Sequence, residues 1–147
     1  MIFKSERELE SFLLKRSRLA LMSAQDKVYG IIKNFLYMYY ADYSPSEYHR
    51  TYQLLQSLVQ SRIVSKGKGY EAEIYFDIDG LSYDTGACPS GEQVMAAAAV
   101  GLHGAAGLNV ENGNSGVSAW KDPIQVLDAE AIGILKSMLI SAGIPIR

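Results

Sequence analysis

The chain has 147 residues, 48% of them apolar and 20% charged, with a formal net charge of −2. That length suits one domain over residues 1–147, burying about two-thirds of the surface of its unfolded chain, and the composition excludes an intrinsically disordered segment. The near-neutral charge argues against wrapping nucleic acid, so no sequence-specific nucleic-acid partner is expected.

Residues 5–41 read as one long helix. Ser5 suits the N-cap and Glu8 completes a capping box, while Glu6, Glu8 and Glu10 lie at the positive end of the helix dipole. Leu9, Phe12, Leu13, Ala20, Ala24, Val28, Ile31, Ile32 and Phe35 recur at spacings of three and four and form one stripe. Gly30 costs about 1 kcal/mol inside a helix and is a candidate bend. Such a helix is roughly 55 Å long, against a radius of gyration of about 15 Å for a domain of this size. It therefore overhangs its domain, bends, or packs on a neighbouring subunit. That mismatch points to assembly, with Leu13 near the helix start as a contact residue. The basic run Lys15-Arg16-Ser17-Arg18 is read as a solvated face in preference to a phosphate site.

Eight of the ten tyrosines fall between residues 37 and 77: Tyr37, Tyr39, Tyr40, Tyr43, Tyr48, Tyr52, Tyr70 and Tyr75. After Asp42 the run Tyr43-Ser44-Pro45-Ser46 breaks the helix. A hairpin is expected over residues 58–77. Its first strand covers 58–65, and its turn is Lys66-Gly67-Lys68-Gly69. In the second strand Ile74 and Phe76 face one way, and Glu73, Tyr75 and Asp77 the other. The tyrosines fill the junction between helix and hairpin or form a protein contact, in preference to stacking on a sugar or a base.

Residues 77–91 are loop-like. Asp77, Asp79 and Asp84 resemble a calcium loop only loosely, since Leu81 stands where that loop needs Asp or Asn, and they are read as turn residues with no metal. Ser90 and Gln93 make a second capping-box pair ahead of a helix over about 91–102, whose run of small residues implies close burial. Gly101 and Gly104 end it. A loop with Asn112-Gly113 and Ser115-Gly116 turn signals leads to Trp120. The last helix is expected over 123–142, with Asp122 as cap, Pro123 at the first position and Gly143 as terminator. Its stripe is Ile124, Leu127, Ala131, Ile134, Leu135, Met138 and Leu139. The Ile144-Pro145-Ile146-Arg147 tail suits an edge strand. The fold class is thus α+β: a long N-terminal helix, a small antiparallel sheet and two further helices.

No catalytic constellation emerges. The single cysteine, Cys88, cannot make an internal disulfide, so nothing indicates secretion. Cys88 with His49 or His103 would be a thiol nucleophile and base, yet Cys-Pro-Ser-Gly matches no catalytic pattern, and His103 suits a helix C-cap equally well. Two histidines and one cysteine are too few for structural zinc. The glycine spacings match neither a P-loop nor a dinucleotide fingerprint, so no cofactor is expected. The N-terminus MIFKSERELE lacks a signal-peptide core, and no apolar run spans a bilayer. A soluble protein made in a cytoplasm, with no membrane partner, is the expectation.

The order of a long charged helix, a Tyr/Pro joint, an R-T-x-x-L-x-x-S segment (Arg50, Thr51, Leu54, Ser57), a hairpin, a loop and an alanine-rich helix resembles the head–tail joining, or tail-completion, proteins of long-tailed bacteriophages and prophages. The comparable family segment reads roughly R-T-G-x-L-x-x-S, so Tyr52 stands in place of a glycine. Gly101-Leu102-His103-Gly104 is similar to a turn in that family, and the likeness covers residues 8–104. The resemblance implies a non-enzymatic virion component made in a bacterial cytoplasm. It would form a homo-oligomeric ring at the neck and contact neighbouring head or tail proteins. On this reading the interface candidates are Leu13, Tyr37, Tyr40, Tyr43, Tyr48, Arg50 and Tyr52, with no catalytic, cofactor or metal residue. The competing classes are a small cytoplasmic Cys/His hydrolase and a protein-binding module using the tyrosine joint.

Overall fold

The computed structural model describes residues 2–42, 52–81, 90–100 and 118–146. The fold is α+β. Helix α1 spans Glu6–Ala41 and a single turn α2 spans Gln53–Gln56. Strands β1 (Leu58–Gln60), β2 (Val64–Lys66), β3 (Gly69–Glu71) and β4 (Ile74–Phe76) follow, then helices α3 (Gly91–Ala99) and α4 (Lys121–Ser141).

At the start of α1 the Ser5 hydroxyl accepts the Glu8 N–H at 3.2 Å. The Glu8 carboxylate takes the Lys4 N–H at 2.8 Å instead of the Ser5 N–H, so the expected box closes one residue early.

The hairpin forms over the expected residues, in two sections. Val64 faces Glu71, Ser65 faces Tyr70 and Lys66 faces Gly69. Gly67 has φ of 59° and is the only one of the two turn residues with positive φ, which is the type II′ pattern. Nearer the base, β1 pairs with β4. Asp77 N–H donates to Ser57 O at 2.7 Å and Ser61 N–H to Glu73 O at 2.9 Å, so four steps forward on one strand meet four steps back on the other. Two residues lie between Ser61 and Val64, but only one lies between Glu71 and Glu73. One residue is extra, and the expected unbroken strand over 58–65 is instead interrupted by a bulge. The Ser61 hydroxyl holds it, accepting the Glu73 N–H at 2.8 Å. Alternation in the second strand is as read: Tyr75 is exposed, with Ile74 and Phe76 half-buried.

Helix α3 carries the full Ser90–Gln93 capping box. It stops at Ala99, short of the expected 102, and Gly101 to Gly104 lie outside the described residues. Close burial is not met: Ala98 alone in this helix is fully buried, with Val94, Met95 and Ala97 half-covered.

Helix α4 begins two residues before the expected start. Ser118, not Asp122, is the cap. Its hydroxyl accepts the Lys121 N–H at 2.8 Å, and Asp122 accepts the Ser118 N–H at 2.8 Å. Pro123 sits fully buried inside the first turn, where its missing N–H is not needed. Gly143, at φ of 84°, ends the helix as expected. Its N–H reaches Ile140 O at 2.9 Å and the Ile144 N–H reaches Leu139 O at 3.0 Å, which is a Schellman cap. That cap uses the Ile144 donor and Pro145 has none, so residues 144–146 form no edge strand, contrary to expectation.

By internal contacts the chain divides into two compact units. One comprises Met1–Tyr29, Gln60–Ile74 and Ala129–Arg147, with Ala20, Ala24, Gln25 and Ile134 buried. The other comprises Gly30–Val59 and Tyr75–Asp128, with Ile32, Leu36, Tyr39, Leu54, Leu58, Leu81, Ala98 and Ala119 buried. The α1 division falls at Gly30, though the helix continues through it. Among the described residues, no helix is long and apolar enough to cross a membrane.

Candidate functional site

Two regions carry the sequence-derived candidates. The first is the N-terminal half of α1. Leu13 shares a helical face with Ala20 and Ala24, at i+7 and i+11. Those alanines are buried, yet Leu13 and its i−4 neighbour Leu9 remain 37% and 38% exposed. The stripe is therefore uncovered at its start. Phe3 packs on Phe12 with ring centroids 5.2 Å apart, and the Arg16 guanidinium lies 5.3 Å from the Phe12 centroid. The basic run thus spends one of its cations on an aromatic face.

The second region is the tyrosine joint. Tyr39 is buried and meets Tyr40 edge-on at 5.4 Å. Tyr40 in turn packs on Tyr52 at 5.0 Å. Of the candidates, Tyr40 and Tyr52 are brought together, although they lie on opposite sides of the break after α1. Tyr37 is not part of this stack; it is half exposed, with the Lys33 ammonium 5.9 Å from its ring. Tyr43, Tyr48 and Arg50 lie outside the described residues, as do Thr51, His49, Cys88 and His103.

The residues of the R-T-x-x-L-x-x-S segment that are described have distinct local tasks. Tyr52 has φ of 55° and ψ of 20°, the left-handed region that glycine favours. This is the position where the resembled segment has glycine. Leu54 is 2% exposed and anchors the turn. Ser57 ends it: its N–H donates to Gln53 O at 2.8 Å and its hydroxyl to Leu54 O at 2.9 Å. Its own carbonyl then accepts the first hydrogen bond of the hairpin, from Asp77. One serine thus closes a helical turn and opens a strand.

Sequence reasoning missed Gln25. Its amide nitrogen donates to Ser61 O at 3.1 Å and to Glu73 O at 3.0 Å, where the hairpin ladder is interrupted. Beside it, Gln60 Nε2 donates to Asp26 Oδ1 at 3.1 Å. The available signal was a glutamine at i−3 and i−7 from Val28 and Ile32, a polar group on an apolar face. Trp120 meets Phe76 edge-on at 5.1 Å.

Chemically, these surfaces offer apolar and aromatic contact. Lys66 pairs with Glu71 at the hairpin tip, and that hydrogen bond, then the carboxylate charge, raise the ammonium above its ordinary range. Both groups face solvent, so the pair contributes little to stability. Among the described residues no cluster of His, Cys, Asp or Glu is arranged to hold a metal.

Fold and surfaces together define an α+β protein with an aromatic joint between helix and hairpin and a partly uncovered apolar helix. The model of the YomN family matches residues 6–140, and the chain belongs to that family. The family is phage-derived, of the Bacillus prophage SPbeta-like kind. No curated protein and no solved structure matches the chain.

Proposed function

We propose that this chain is a non-enzymatic structural protein of a phage or prophage virion, a head–tail connector or tail-completion subunit that forms a ring at the neck. The observation that carries the reading is the uncovered start of the α1 stripe, Leu9 and Leu13, in a member of a phage-derived family. An apolar helix face left open on a subunit is a surface awaiting a partner. A ring supplies one through a head-to-tail contact that closes by rotation. The left-handed Tyr52 and the roles of Leu54 and Ser57 support the resemblance to neck proteins, because they give its short motif a physical reason. Partners on this reading are further copies of the chain and adjoining head or tail proteins.

The test is deletion of the gene from an inducible prophage, with mass spectrometry of purified particles. The expected result is the protein in wild-type particles, and separate heads and tails from the deletion. Joined, infective particles from the deletion would overturn the proposal.

A further inference from the structure

We propose that α1 and α4 bear complementary patches through which one copy of the chain docks on the next. This rests on the ring reading above and names its contact. On α1, Lys15, Leu19 and Met22 recur at i, i+4 and i+7, so they share one face. On α4, Asp128, Ile132 and Leu135 recur at the same spacings. Leu19 and Met22 are 40% and 46% exposed, and Ile132 and Leu135 are 71% and 41% exposed. Lys15 and Asp128 are exposed too, and neither is ion-paired with another described residue.

Laid side by side in parallel, the two stripes match position for position. Lys15 meets Asp128, Leu19 meets Ile132 and Met22 meets Leu135. Farther along, Asp26 and Lys136, three positions out of that register, again carry opposite charges. Reversing one helix brings Lys15 towards Lys136 and Asp26 towards Asp128, so like charges oppose that orientation. Charge thus selects the parallel arrangement, and the apolar pairs supply the attraction. The patches are different surfaces of the same chain, so the contact is heterologous: each copy leaves one patch free for the next. Four apolar side chains bury less than the roughly 1,200 Å² of a stable interface. Dilute chains therefore stay apart, and association grows when copies are concentrated or held in place.

The experiment uses the full chain carrying Cys88→Ala, Leu19→Cys and Ile132→Cys, treated at high concentration with a short bismaleimide cross-linker. The expected result is a ladder of covalent oligomers beyond the dimer, absent from either single-cysteine chain. Lys15→Asp or Asp128→Lys alone should lower the ladder yield about fivefold, and the two together should restore it. Circular dichroism confirms that each variant is folded. Monomers alone, a link within one chain, or dimers from a single-cysteine chain would overturn the contact. Protein present in particles without a ladder overturns this contact and leaves the neck reading standing. A ladder from a protein absent from particles does the reverse.

Discussion

The two halves of α1 are built alike and buried differently. Towards the C-terminal end, Ile32, Leu36 and Tyr39 are 3%, 0% and 5% exposed. Towards the N-terminal end, Leu9 and Leu13 repeat the apolar spacing yet stand more than a third exposed. Periodicity sets which face of a helix is apolar; it does not say whether this chain covers that face. The half that is covered is needed for folding. The open start, on the ring reading, is available for assembly.

Truncation should separate the halves most sharply. Leu36→Ala opens a cavity in a fully enclosed site and should cost about 3 kcal/mol in urea unfolding, whereas Leu13→Ala should cost under about 1 kcal/mol. Equal losses would erase the distinction. Next in size is Gln25→Ala. It removes two hydrogen bonds from the interrupted hairpin and should cost about 2 kcal/mol. Hydrogen exchange near Ser61 and Glu73 should rise with it, whereas unchanged exchange would make Gln25 incidental. Smaller again is the strain at Tyr52. Both Tyr52→Ala and Tyr52→Gly lose the ring contact with Tyr40, but glycine accepts the left-handed backbone, so it should be more stable than the alanine variant by about 1 kcal/mol. Alanine equal to glycine there would mean the backbone is not held left-handed in solution. The smallest effect is expected from Cys88→Ala, which should leave particle assembly and infectivity unchanged. Loss of function with the fold intact would revive a thiol-based enzyme.

Much of the fold was legible because its signals are local. Ser90 with Gln93, Gly143 and the alternation after Glu73 act within a few residues, and each does what the sequence suggested. The misreadings came from choices that depend on distant groups. Asp122 and Pro123 read as a cap and first residue, but the Ser118 hydroxyl, which donates to the distant Ala99 O at 2.7 Å, accepts the Lys121 N–H and starts α4 earlier. The bulge after Ser61 is invisible as a pattern, because the Gln25 amide and the Ser61 side chain supply the partners that make an extra residue tolerable. The candidate site was half legible. The tyrosine joint stood out by density, and Tyr40 and Tyr52 do meet. That Tyr52 takes a glycine's backbone, and that Leu13 lies open, follow from tertiary packing that no window of sequence contains.

On the ring reading, the open start of α1 serves assembly and not folding. Leu13→Asp tests it most directly, with circular dichroism and thermal unfolding measured beside incorporation into tailed particles. The expected result is a folded subunit with near-normal thermal stability that fails to enter particles. A folded Leu13→Asp subunit that is incorporated as efficiently as the wild type would contradict it.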